Sequence, residues 1–318
     1  MSANTEHANT DHAINQSSAK PTAVIFGASQ SGQSALKNLR QQYRIVAFSD
    51  NCAALAGTQI DDIGVIPPES IATLVPDKVF IASEFFEQIQ QQLVNELGIN
   101  RDSVVVLPTS IIKPMSLGDS DTTLQTAELI LLTVCRCLRE HDVPHHIDAG
   151  TLLGIYRDGG LIPWDDDLDI AVSSEFIDHA KQALASSIAD IEQYTQRTWQ
   201  IEMHYSARDF GAVRKGDIRG IKLKCSDHSD SADKHPSLPM LDIFFKYITG
   251  DTMDYVLASR GLSMPSKHLR TTDNIDFCGA LLSIPSDVED YLERHYGDWQ
   301  TPVRDWHLGM LQNATVFR

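Results

Sequence analysis

Residues 146 to 170 read His146-Ile-Asp-Ala-Gly150-Thr151-Leu-Leu-Gly154-Ile-Tyr-Arg157-Asp-Gly-Gly160-Leu-Ile-Pro163-Trp164-Asp165-Asp166-Asp167-Leu168-Asp169-Ile170. Four acids fall within five positions and run straight into an apolar strand. Alternation along a strand sets Asp165, Asp167 and Asp169 on one face, with Asp166 and Leu168 on the other. Like charges this close resist common ionisation unless a cation compensates. Magnesium meets that need, since it takes oxygen ligands from one or two carboxylates together with substrate phosphates and water. An acid run is ordinarily a solvated turn. Here Pro163 and Trp164 on one side, and Leu168, Ile170, Ala171 and Val172 on the other, bury the edges of the run, a poor setting for an idle cluster. Upstream, the small pair Gly150-Thr151 follows a strand and precedes an apolar turn. It offers the close backbone approach and N–H donors that a phosphate needs.

Gly-Thr, a gap, then Asp-x-Asp on a strand is the order of the nucleotidyltransferase fold, whose third carboxylate arrives on a later strand. Asp242 in Met240-Leu-Asp-Ile-Phe-Phe245 is the candidate, the one acid inside an otherwise apolar strand. An unpartnered charge there costs several kcal/mol, roughly, unless the position is an exposed edge.

Working outward, residues 1–20 are polar, small and aperiodic, and are expected to be a disordered arm. From Thr22 the pattern becomes strand (Thr22 to Gly27), glycine turn, helix (Ser31 to Gln41) and strand (Arg44 to Ser49), followed by strand-like runs at Lys78 to Ala82 and Ser103 to Leu107 around an amphipathic stretch from Glu84 to Leu97. This alternation predicts a small doubly wound, Rossmann-like α/β domain over residues 21–115. Its turn, Gly27-Ala-Ser-Gln-Ser-Gly32, follows a strand and opens a helix, where backbone N–H groups can hold a phosphate. Asp50 ends the second strand, where an acid can meet a ribose hydroxyl. Ser29 replaces the middle glycine of the dinucleotide fingerprint and hinders close approach of a pyrophosphate. A scaffold or docking role and nucleotide binding through Gly27, Gly32 and Asp50 therefore both stand. The domain resembles the small Rossmann-like domain at the front of some sugar-modifying enzymes.

Two prolines, a glycine and several polar residues between Pro108 and Asp121 mark the domain boundary. A second domain of α+β type is expected over residues 120–318. It opens on a helix with apolar residues at Ala127, Ile130, Leu131, Val134, Cys135 and Leu138, and continues with strands near His146 to Asp148, Leu168 to Val172, Trp199 to Tyr205, Ile218 to Leu223 and Met240 to Tyr247. His145 and His146 are expected to cap or to lie at the surface rather than to catalyse. Trp164, Tyr296 and Trp299 are candidates to stack a base or sugar, although aromatics beside prolines are more often core plugs.

The formal net charge of −17 over 318 residues, with no long Lys/Arg cluster, argues against a nucleic-acid partner. Five scattered cysteines without a Cys-x-x-Cys pair fit a reducing compartment. No run is long enough to span a bilayer and no signal peptide is evident, so a cytoplasmic protein is expected. Loose association with a membrane surface where glycans are built is compatible with this, but no amphipathic basic helix supports it.

The central stretch resembles the LicD family, whose hallmark is Gly-Gly-Thr-Leu-Leu-Gly, an arginine, then Gly-hydrophobic-Ile-Pro-Trp-Asp-Asp-Asp-hydrophobic-Asp-Ile. This chain supplies Ala149-Gly150-Thr151-Leu152-Leu153-Gly154, Arg157, Gly160 and Ile162 through Ile170. Leu241-Asp242-Ile243-Phe244, Ile284-Pro285, Tyr291-Leu292, Tyr296-Gly297-Asp298-Trp299 and Pro302 extend the resemblance over roughly residues 124 to 302. It implies transfer of a phosphorylated alcohol, such as phosphocholine or ribitol phosphate, from a CDP-activated donor to a sugar hydroxyl on a cell-surface glycan. By the same resemblance Asp167, Asp169 and Asp242 would ligate Mg2+ or Mn2+, Gly150, Thr151 and Trp164 would face the donor, and Arg157 would neutralise phosphate charge. Asp165 or Asp242 would take the acceptor's proton. The chain departs from the hallmark at Ala149, where glycine is usual, and at Asp158-Gly159, where a basic or histidine pair is common, which leaves the donor's alcohol open. Animal members carry a Cys/His zinc site. The spacing of Cys225, His228 and His235 is too loose for one, and no zinc is assigned. Two other readings keep the same residues: an ordinary nucleotidyltransferase that releases pyrophosphate, and a non-catalytic nucleotide-binding module in glycan assembly.

Overall fold

The computed structural model describes residues 20–113, 115–226 and 237–317. All of the expected N-terminal arm but Lys20, and the positions of His228 and His235, lie outside the described residues.

The N-terminal domain is built on β1 (Thr22–Phe26), α1 (Gln30–Leu39), β2 (Arg44–Ser49), a short hairpin of β3 (Gln59–Ile60) and β4 (Ile63–Ile66), α2 (Ile71–Leu74), β5 (Lys78–Ile81), α3 (Phe86–Gln91), β6 (Val104–Val106) and α4 (Thr109–Ile112). The sheet order is β3-β4-β2-β1-β5-β6, parallel except for the β3–β4 pair. Strands such as Thr22-Ala-Val-Ile-Phe26 are apolar at nearly every position because both faces are covered. Ala23 and Ile25 face one core with Leu36 and Phe48, while Val24 and Phe26 face another with Ile71 and Leu93. The doubly wound reading of the sequence is therefore correct, while the β3–β4 hairpin has no counterpart in it.

In the second domain, α5 (Asp121–Glu140) leads to β7 (His145–Ile147), α6 (Ala149–Asp158), β8 (Asp167–Ser173), α7 (Ile177–Thr195), β9 (Trp199–Tyr205), β10 (Ile218–Cys225) and β11 (Met240–Thr249). Next come β12 (Thr252–Leu257), β13 (Arg260–Pro265), α8 (Lys267–Arg270), the hairpin β14 (Thr272–Phe277) and β15 (Ala280–Pro285), α9 (Val288–Tyr296) and β16 (Ala314–Val316). The mixed sheet runs β16-β13-β12-β11-β10-β9, with β8 parallel to β11 and β7 antiparallel to β8. The apolar stripe of α5 packs into the same core as Leu168, Ile170, Leu241 and Ile243. Ser120 caps α5, accepting from the Thr123 N–H at 3.1 Å.

The segment between the domains is stitched down rather than contact-poor. The Gly118 N–H donates to the Pro163 carbonyl at 2.7 Å and the Leu117 N–H to that of Asp165 at 2.7 Å. Further contacts tie the domains together: Arg260 pairs with Glu87, the Thr109 hydroxyl donates to the Trp306 carbonyl at 2.7 Å, and Gln88 donates to the Phe317 carbonyl at 3.3 Å. Among the described residues no helix is long and apolar enough to cross a membrane.

Candidate active site

The carboxylates converge because β8 and β11 run parallel in a register that sets Asp169 beside Asp242. Period-2 alternation puts Asp167 on the same face as Asp169. One oxygen from each of Asp167, Asp169 and Asp242 lies within 4.8 Å of the other two. Asp242 is interior to the sheet, between β8 and β10, not at an edge. Asp165 and Asp166 sit on the turn before β8, where the Asp165 N–H donates to the Ile162 carbonyl at 3.0 Å.

Burial first, and then the neighbouring acids, push the carboxyls of Asp167 and Asp169 well above the usual range. Two ammonium groups partly offset this crowding. Lys113, from the interdomain segment, reaches Asp165 at 2.6 Å and Asp166 at 2.7 Å. Lys222, opposite Asp242 in the β10–β11 register, reaches it at 3.1 Å. Burial alone would push Lys113 down, but Asp165, Asp166 and Asp167 outweigh it and hold it above its usual range. Five carboxylates thus share two ammonium partners, an oxygen-only set with negative charge left over. That set fits a hard divalent cation on Asp167, Asp169 and Asp242.

Gly150 and Thr151 occupy the first turn of α6, a helix where the sequence reads as a turn. A Cβ at Gly150 would overlap the Asp165 carboxylate. Thr151 is buried, and its hydroxyl accepts from the Asp169 N–H at 2.8 Å, so it braces a candidate ligand. Ala149 has φ +42°, the left-handed region, which accounts for the glycine usual at this position in the hallmark.

Behind α6 lies a buried polar cluster not evident in the sequence. Asp148 pairs with Lys246 at 2.8 Å and accepts from the Tyr291 hydroxyl at 2.6 Å, while its N–H donates to the Asp169 carbonyl at 2.9 Å. The Lys246 ammonium lies 3.2 Å from the centre of the Tyr255 ring. Despite burial, Lys246 and the neighbouring histidines hold the Asp148 carboxyl well below its usual range. His145 and His146 are buried strand residues rather than caps or surface groups. Their Nδ1 atoms meet the carbonyls of Val143 and Ile147 at 2.8 and 2.7 Å.

Burial holds the imidazoles of His146 and His295 down at about 4, against about 6.5 in an unfolded chain. Between these values the unfolded state binds protons that the folded state refuses, so stability is full above pH 6.5 and falls as pH drops toward 4. A thermal midpoint that is flat above pH 7 and declines through this window is expected, with a shallower decline in His295→Gln. A midpoint unchanged down to pH 5 in the wild type would contradict it.

Arg157 is mostly buried, and its guanidinium holds Asp158 through two hydrogen bonds of 2.9 and 2.7 Å and the Trp299 carbonyl at 3.2 Å. It is thus engaged by Asp158, one of the positions that depart from the hallmark. Trp164 is half-buried and packs on the core. Tyr156 and Trp299 meet at 5.7 Å between ring centres, and Tyr296 and Trp306 at 5.5 Å. Burial, followed by the charge of Asp169, pushes the Tyr296 hydroxyl well up, which places it by the acid cluster.

In the N-terminal domain Gly27 has φ +116°, and a Cβ at Gly32 would overlap the Gly27 carbonyl, so both glycines are required by the turn. Asp50 is engaged by backbone, accepting from the N–H groups of Ala28 and Cys52 at 2.8 Å each. These residues belong to a separate centre from the carboxylate triad. The loop after β5 does approach the triad. Glu84 stays exposed at its mouth, in a cleft that pushes its carboxyl up, and feels the charges of Lys222, Asp242 and Arg219.

Residues 142–287 match the family model described as LicD/FKTN/FKRP, nucleotidyltransferase domain, and residues 19–105 match C2185-like, N-terminal. The mouse ribitol-5-phosphate transferase FKTN is 26% identical over 184 residues, 57% of this chain and 34% of that protein. Human ribitol 5-phosphate transferase FKRP is 22% identical over 156 residues, 49% and 28% of the two chains. The chain thus spans about a third or less of the length of these curated relatives. The solution structure of the antibiotic-resistance factor ANT(2'')-Ia overlaps 60% of this chain and 82% of its own, at 15% identity and a TM-score of 0.32.

Proposed function

Since residues 142–287 form a LicD/FKTN/FKRP nucleotidyltransferase domain, we propose that this chain transfers a phosphorylated alcohol, ribitol phosphate or phosphocholine, from a CDP-activated donor to a sugar hydroxyl in the cytoplasm, releasing CMP. The observation that carries this reading is the convergence of Asp167, Asp169 and Asp242 within 4.8 Å on two parallel strands. A divalent cation held by these three residues would supply charge neutralisation for the donor diphosphate and the departing CMP. The chain's own groups do the rest. Lys222 adds positive charge beside Asp242. Gly150, in the first turn of α6, lets the Asp165 carboxylate pack against the helix beside Asp169. Asp165 or Asp242 accepts the acceptor's proton as its oxygen bonds to the distal phosphorus and the bond to the bridging oxygen breaks.

The test is incubation of the full chain with magnesium, a panel of CDP-alcohols (choline, ribitol, glycerol, ethanolamine) and glycan acceptors, read by mass spectrometry. Acceptor-dependent CMP release, abolished by chelation, is the expected result. Pyrophosphate released from CTP or ATP, with no CMP from the panel, would instead make it an ordinary nucleotidyltransferase.

A further inference from the structure

Asp169 lies one residue past the end of the β7–β8 ladder, which closes with Ile147 opposite Ile170. The start of α6 takes over there. The Asp148 N–H donates to the Asp169 carbonyl at 2.9 Å, and the Asp169 N–H donates to the Thr151 hydroxyl at 2.8 Å. Both main-chain groups of this candidate ligand are therefore held by the beginning of a helix rather than by a strand. Asp148 is the N-cap of that helix, a position where an aspartate ordinarily accepts from first-turn N–H groups, yet its side chain makes no such bond. Instead its Oδ1 accepts from the Tyr291 hydroxyl of α9 at 2.6 Å, and its Oδ2 pairs with Lys246 of β11 at 2.8 Å. The next residue, Ala149, sits at φ +42°, a backbone state that persists only where the surroundings over-determine it. Tyr291 is fully buried, with His146 and His268 edge-on to its ring at 5.5 and 5.3 Å and His295 stacked on it at 5.9 Å between ring centres. A ring fixed in this way aims its hydroxyl at Asp148. Lys246 balances the charge of Asp148, whereas the phenol contributes direction.

We propose that Tyr291 is a positioning residue for the carboxylate centre: its hydroxyl fixes Asp148, Asp148 fixes the first turn of α6, and that turn holds Asp169 where it can take a divalent cation. Groups behind a metal's ligands orient them, and their loss lowers metal affinity about 10–100-fold. The role toward a cation rests on the metal-dependent reading of the site, while the brace from Tyr291 to Asp169 is a property of the metal-free chain.

The test is amide hydrogen exchange, read residue by residue by nuclear magnetic resonance on the full metal-free chain. Tyr291→Phe keeps the ring and removes only the hydroxyl, and should speed exchange of the Asp148 and Asp169 amides about tenfold or more. Tyr255→Phe is the control, since it removes a buried hydroxyl whose partner is His295, at 3.3 Å, rather than Asp148. It should leave both amides at the wild-type rate. Titration with Mn2+, followed by the electron paramagnetic resonance signal of the free ion, should show affinity about tenfold lower in Tyr291→Phe and unchanged in Tyr255→Phe. Wild-type exchange in Tyr291→Phe, or equal acceleration in Tyr255→Phe, overturns the brace. Faster exchange with wild-type Mn2+ affinity overturns the positioning role. Absence of Mn2+ binding in the wild-type chain overturns the metal reading of the carboxylates instead, and the exchange rates still decide the brace.

Discussion

Asp169→Asn is expected to lower CMP release by roughly a thousandfold or more, and at the same time to raise the thermal midpoint of the metal-free protein. Both effects have one origin. Asp169 is only 6% exposed, and its charge sits among Asp165, Asp167 and Asp242 with no ammonium of its own. Asparagine keeps the shape and removes one of the crowded charges, so the fold gains while the cation loses a ligand. A gain of about 1 kcal/mol corresponds to roughly 2–4 °C in a chain of this size. Magnesium should raise the wild-type midpoint and leave that of the variant nearly unmoved. Wild-type turnover in the variant would remove Asp169 from the metal site. A lowered midpoint would show that its carboxylate is a structural bond rather than a held charge.

Lys246→Met carries the largest expected loss of stability. It leaves Asp148 ionised at 2% exposure, with the Tyr291 hydroxyl as its remaining close side-chain partner. Breaking one side of such a pair costs about 3–5 kcal/mol, on the order of 10 °C in thermal midpoint. The double variant Asp148→Asn/Lys246→Met strands no charge and should recover most of the loss. If the double variant is no more stable than the single, the deficit comes from packing against the Tyr255 ring rather than from the orphaned carboxylate. Activity should fall with the single variant as well, since Asp148 fixes the start of α6 and, through its N–H, the carbonyl of Asp169.

The triad was legible in the sequence because a strand's period of two needs no tertiary knowledge to place Asp167 with Asp169, and because a lone acid in Leu241-Asp242-Ile243 is conspicuous. Helix α6 was not. Gly150 and Gly154 are poor helix formers, and only packing explains them: Gly150 lies against Asp165, and Gly154 against the Gly160 carbonyl. Lys222 becomes meaningful only once the β10–β11 register sets it opposite Asp242. Asp148 and Lys246 are unremarkable separately and are distant in sequence. Lys113 was concealed differently, since its proline-bearing surroundings read as a spacer between domains.

That spacer lysine has a thermodynamic consequence. Lys113 and a cation on Asp167, Asp169 and Asp242 draw on one pool of negative charge, so each weakens the hold of the other. Linkage is reciprocal: by whatever factor Lys113 lowers the affinity for the cation, cation binding lowers the grip of Lys113 on Asp165 and Asp166. Loading the carboxylate centre would therefore loosen the connection to the N-terminal domain, and the clasp between the two domains would report on the occupancy of the centre.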